Sequence, residues 1–171
     1  FGERCYPSRY NLPFSALLIS FQGLTNASGA SIEVGGDAWF NASNSQALDV
    51  GYTNAGTFNF GRLLFTSDGA VRISESSATE IFGDNAARTL LINSGGAITD
   101  AIGTEIGTTI STEFNAGSNA ITLGENIADN HSLANLSFYG DTVNIKASSN
   151  VALAGNNNFA TSLTLTSVGG A

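Results

Sequence analysis

From Leu24 onward the chain is written in short β-prone runs, four to seven residues long, separated by corners of Gly, Asn, Ser and Asp. Val143, Ile145 and Ala147 alternate with Asn144, Lys146 and Ser148; Leu163 and Leu165 alternate with Thr164 and Thr166. Alternation with a period of two buries one side of each run and wets the other. Residues 31–34, 38–41, 57–60, 63–66, 89–93, 136–139, 143–146 and 162–166, among others, read as strands. No stretch after Leu24 carries a 3.6-residue apolar period, and 125–133 is the one segment open to a short helix or a bulged corner. Ahead of Leu24 the reading stays divided. Residues 14–21 form a strand, or Asn11 caps a short helix with Pro13 early in it.

One phrase recurs. Ala87, Leu90 and Ser94 are echoed 73 residues later by Ala160, Leu163 and Ser167, and Gly95-Gly96-Ala97 by Gly169-Gly170-Ala171 after one inserted residue, Val168. Strand, tight corner and strand at an interval too long for a hairpin predict a coil of stacked turns. At roughly 20–25 residues per turn the echo spans about three rungs. The expected fold is all-β, a parallel β-helix (β-solenoid) of about six or seven rungs over residues 24–171. Residues 1–23 are expected to form an N-terminal capping segment, because end units of repeat folds are atypical. Amides at 156–158 are placed to form ladders at a corner.

Composition sharpens this. Only 12% of the 171 residues are charged, so hydroxyls and amides cover the surface in place of the Lys and Glu of exposed helices. The six basic residues, Arg4, Arg9, Arg62, Arg72, Arg88 and Lys146, form no cluster in a chain of net charge −8. Nucleic acid and anionic membrane surfaces are thereby excluded as partners. The apolar run 14–21 is too short to insert across a bilayer. Cys5 is alone, so no disulfide forms within the chain.

Candidate chemistry is sparse. Trp39 and Tyr52 belong to an aromatic strip with Phe58, Phe60 and Phe65, suited either to sugar stacking or to filling a wide rung. His131, the single histidine, lies in a polar stretch and reads as a solvated loop residue. One His and one distant Cys supply no zinc set, and the Gly-Gly-x-Gly-x-Asp calcium pattern is missing, so neither a metal nor any other cofactor is expected. Glu75, Glu80, Asp84, Asp100, Glu105 and Glu113 recur over consecutive expected rungs. Parallel stacking brings such carboxylates about 5 Å apart, a separation used in glycoside hydrolysis. Under that reading Glu80, Asp84 and Asp100 are catalytic, with Arg72 or Arg88 as a basic partner.

Residues 89–100, 115–123, 136–155 and 162–171 together resemble the degenerate repeats of filamentous-haemagglutinin-type adhesins. The likeness covers roughly residues 63–171, and residues 1–23 depart from it. It implies a right-handed parallel β-helix exported to the bacterial surface or beyond. The function expected is then a non-enzymatic structural or adhesive module. Its partners are other copies of itself, joined end to end by β-augmentation at an open last rung, or surface glycans. The alternative is a carbohydrate-active β-helix enzyme, a polysaccharide hydrolase or lyase.

Overall fold

A computed structural model describes residues 9–12, 15–20 and 22–168. It contains fifteen strands and no helix: β1 (Arg9–Leu12), β2 (Ala16–Ser20), β3 (Leu24–Thr25), β4 (Ser31–Ala42), β5 (Leu48–Val50), β6 (Thr57–Ser67), β7 (Ala70–Glu75), β8 (Thr79–Ile81), β9 (Asp84–Ser94), β10 (Ile98–Asp100), β11 (Glu105–Asn115), β12 (Ile121–Leu123), β13 (Asn130–Ser132), β14 (Leu136–Ala147) and β15 (Asn158–Ser167). Every strand pairing is parallel. Successive turns of the chain lie on one another as a β-solenoid of about seven turns.

The long strands turn corners. In β4 the register against β6 shifts between Val34 and Asp37, at Gly35-Gly36. β11 shifts against β9 between Thr108 and Ser111, and β14 against β15 between Gly140 and Thr142. Runs that read as separate strands, such as 57–60 and 63–66, are therefore two faces of one bent strand.

Inward positions stack in columns. One runs Leu48, Val71, Leu90, Thr112, Leu136. Another runs Val50, Ile73, Ile92, Phe114, Phe138, all buried. A third runs Thr79, Ile98, Ile121, Val143, Leu163. Phe40 pairs with Phe65, and Phe40 meets Phe60 edge-on at 5.3 Å. Each large side chain removed from water in this way contributes about 2–3 kcal/mol.

The 73-residue echo is not a whole number of turns. Leu90 and Leu163 stand in different columns, on different faces of the coil. What recurs is corner chemistry. The last serine of a strand donates to a carbonyl of the preceding turn: Ser67 to Gln46 O (2.6 Å), Ser94 to Ser77 O (2.9 Å), Ser167 to Ser149 O (2.8 Å). The same hydroxyl accepts the N–H two residues on, from Gly69 (2.9 Å) or Gly96 (3.3 Å). Glycine is needed there: a Cβ on Gly69 would stand 2.5 Å from Gln46 O. Any face can end in this unit, so the phrase repeats without keeping a fixed angular position.

Two divided readings are decided and two expectations are corrected. Residues 9–12 and 16–20 are strands paired to β4, so of the two readings of this segment the strand is the one found at 16–20. Residues 125–133 are a turn followed by β13, with Asp129 accepting from the N–H of Asn126 (2.8 Å). His131 is buried, not solvated, because β13 lies against β11 with His131 beside Ile106. Amide bonding between turns falls at Asn26 and Asn54 (2.8 Å), whereas Asn157 bonds Ala154 O within its own corner (3.1 Å). Cys5, Pro13 and residues 169–171 lie outside the described residues.

Candidate functional site

Alternation along β10 puts Ile98 and Asp100 on the same inward side. The register sets Asp100 beside Ile81, in a column that is otherwise aliphatic. A carboxylate there must be hydrogen-bonded, because an unpaired buried charge is strongly unfavourable. His131, reached one turn later on β13, meets it with Nε2 2.7 Å from Asp100 Oδ2. The side chains are 0% and 3% exposed respectively. The N–H of Gly124 donates to the same oxygen (3.0 Å). Gly124 has φ +76°, and a Cβ on it would stand 2.2 Å from Lys146 O and 3.1 Å from the imidazole. Only glycine lets this corner close over the pair. A carboxylate accepts, so Nε2 donates. Nδ1 is buried and has no partner.

Glu75 is a second buried acid. Oε1 accepts from Phe60 N–H (2.9 Å), and Oε2 has no partner. Burial pushes its carboxyl up to about 7, opposed by hydrogen bonds from Thr79, Phe60 and Ser77. Near neutral pH it carries part of a proton, which is what a general acid needs. Glu75 is 4% exposed, and its bond to Phe60 N–H ties β7 to β6.

The acids expected to act together do not converge. Asp100 faces inward and is sealed. Glu80 is half-buried between inward Thr79 and Ile81, so alternation turns it outward. Asp84 is exposed at the start of β9, in register with exposed Glu105, which accepts from Asn130 Nδ2 (3.3 Å). Beside this row lies an open hollow of about 500 Å³ whose floor includes Ala86, Gly107 and Ser132. The basic partners are elsewhere. Arg72 lies 3.7 Å from Asp49, with its guanidinium 5.9 Å from the Tyr52 ring centre, and Arg88 lines a neighbouring hollow with Asp68.

The aromatic strip divides. Phe58, Phe60 and Phe65 fill the core, whereas Trp39 and Tyr52 stand on the surface, 40% and 44% exposed. The sequence reading missed the His131–Asp100 pair and the burial of Glu75. The inward parity of Asp100 was visible beside Ile98; nothing in Asn130-His131-Ser132 marks the histidine as buried.

Comparison of the chain with family models, with curated proteins and with solved structures gives no match.

Proposed function

We infer that the protein is a non-enzymatic structural or adhesive module of an exported bacterial surface or matrix protein, similar in kind to the filamentous-haemagglutinin-type adhesins. One observation carries this reading. The single acid–imidazole pair among the described residues, His131–Asp100, is closed inside the coil and serves its packing. The outer faces carry hydroxyls and amides beside exposed aromatics such as Trp39, Tyr52 and Tyr139 on a parallel frame. At the last described turn, β15 pairs with β14, and its inward Leu163 and Leu165 are only half-buried. A further parallel strand laid on β15 would cover them, and in this reading that strand comes from another copy of the chain. Light scattering coupled to size exclusion over a wide concentration range tests it: concentration-dependent oligomers are expected, and a strictly monomeric species at high concentration overturns self-association.

The second reading, a polysaccharide hydrolase or lyase, draws on one feature, Asp84 in register with Glu105 beside an open hollow. Neighbouring strands stand ~4.8 Å apart, within reach of a retaining carboxylate pair. Product release from a panel of neutral and acidic polysaccharides, abolished by Asp84→Asn or Glu105→Gln, would establish it. A panel without turnover leaves the non-enzymatic reading.

A further inference from the structure

On the outer face of the early turns four side chains form a linked chain of contacts, Asp37, Arg62, Phe82 and Trp39. Asp37 and Arg62 are register partners on β4 and β6. Arg62 forks onto Asp37, Nε to Oδ1 at 2.8 Å and Nη2 to Oδ2 at 3.0 Å. The guanidinium lies 4.6 Å from the ring centre of Phe82, one turn further on. Phe82 in turn braces Trp39, with centroids 6.3 Å apart and planes at 44°. Leu64 is the register partner of Trp39 on β6. Glu80 lies on the same outer face as Phe82, close enough to Arg62 to raise its pKa together with Asp37. An ion pair at the surface stabilises little by itself. Here it immobilises an aromatic pair that remains partly open to solvent.

The geometry points to a carbohydrate-binding platform formed by Trp39, Phe82, Arg62, Asp37 and Glu80, for a neutral, extended, β-linked polysaccharide lying along the solenoid axis. The partly exposed aromatic surface of Trp39 and Phe82 suits the C–H face of a pyranose, and the fixed carboxylates and guanidinium match its hydroxyls. Two carboxylates against one guanidinium leave the patch negative on a chain of net charge −8, which disfavours sulfated and uronic glycans. The rung spacing of ~4.8 Å is close to the length of one pyranose in an extended chain, so successive sugars fall over successive rungs. The platform is pre-ordered, so little side-chain entropy is lost on binding. This deepens the adhesive reading above by naming its ligand class, and it does not depend on end-to-end association.

The test uses the chain's only tryptophan as reporter. Neutral β-1,4-linked hexasaccharides of glucose, mannose and N-acetylglucosamine are titrated while Trp39 emission is followed, with oligogalacturonate and an extended uncharged peptide as comparison arms. A saturable change with at least one neutral oligosaccharide is expected, and none with the other two arms. By calorimetry, Trp39→Ala and Arg62→Ala should each weaken binding by roughly tenfold or more. Tyr139→Ala, an exposed aromatic outside the platform, should leave it within about twofold. No response to any neutral oligosaccharide overturns the site, as does equal binding by Trp39→Ala or a preference for the peptide. Phe82→Leu, which keeps an apolar side chain there, serves if Arg62→Ala does not fold. Oligomers that bind no sugar overturn the platform alone; sugar binding by a strict monomer overturns self-association alone.

Discussion

His131 Nε2 and Asp100 Oδ2 lie 2.7 Å apart inside a column whose other members are apolar. Removing one partner strands the other. His131→Leu leaves a buried carboxylate with one N–H donor, and Asp100→Leu leaves a buried imidazole with none. Each should cost about 3–5 kcal/mol, the penalty typical of a broken buried pair. The double replacement restores an aliphatic column beside Ile81 and should cost less than either single change. Urea unfolding of the four proteins measures this. Additive losses would show that the pair is not coupled.

Glu75 gives a pH dependence with a defined sign. Its folded carboxyl titrates at about 7, against an ordinary value of 4.5. The unfolded chain therefore releases this proton first, and the folded state binds more protons between those values. Stability falls as pH rises from about 4.5 to about 7 and is flat on either side, a loss of about 3 kcal/mol from this group. Glu75→Gln keeps an acceptor for Phe60 N–H and removes the ionisation. Its advantage over the wild type should grow across that window and stay constant above it. Unfolding free energies at pH 4.5, 6 and 8 check the slope; parallel curves for the two proteins would refute it.

The architecture was legible because alternation survives in most runs. Val143, Ile145 and Ala147 all face inward, as their parity requires. The corners were legible from Ser67-Asp68-Gly69 and Ser94-Gly95-Gly96, but not the angle between them, because the serine hydroxyl caps a carbonyl of the preceding turn whichever face its strand ends. The 73-residue echo therefore reported a shared corner and not a shared face. His131 escaped because its two neighbours are polar and its burial depends on a partner 31 residues away. Glu80 and Asp84 lie outward of the wall, and their relation to Asp100 was not readable. Asp100 shares inward parity with Ile98, and parity decides which side of the wall a carboxylate occupies.

Two glycines separate steric need from mere presence. A Cβ on Gly69 would meet Gln46 O at 2.5 Å and Ser45 O at 2.6 Å, both backbone atoms that cannot swing away. Gly69→Ala should cost on the order of 2 kcal/mol, as overpacked sites do. A Cβ on Gly107 meets only Asn85 O at 3.8 Å, an ordinary contact. Gly107→Ala should change stability by no more than about 0.5 kcal/mol. Thermal and urea denaturation of both variants decide the matter. Equal effects would mean that the stacking of corners is not as described.

Phe65 and Trp39 sit on β6 and β4, one turn apart, and face opposite ways. Phe65 is wholly buried and in register with Phe40; Trp39 is 40% exposed, with its ring centre 6.3 Å from that of Phe82. Phe65→Ala opens a cavity in a column that cannot collapse, because the ladders above and below fix the rung spacing. It should cost about 3–5 kcal/mol. Trp39→Ala loses part of an aromatic contact and some half-buried area, which amounts to about 1 kcal/mol. Denaturant midpoints with unchanged m-values measure both. A Trp39 variant as unstable as the Phe65 variant would make Trp39 a core residue, and its role at the surface would fall with that result.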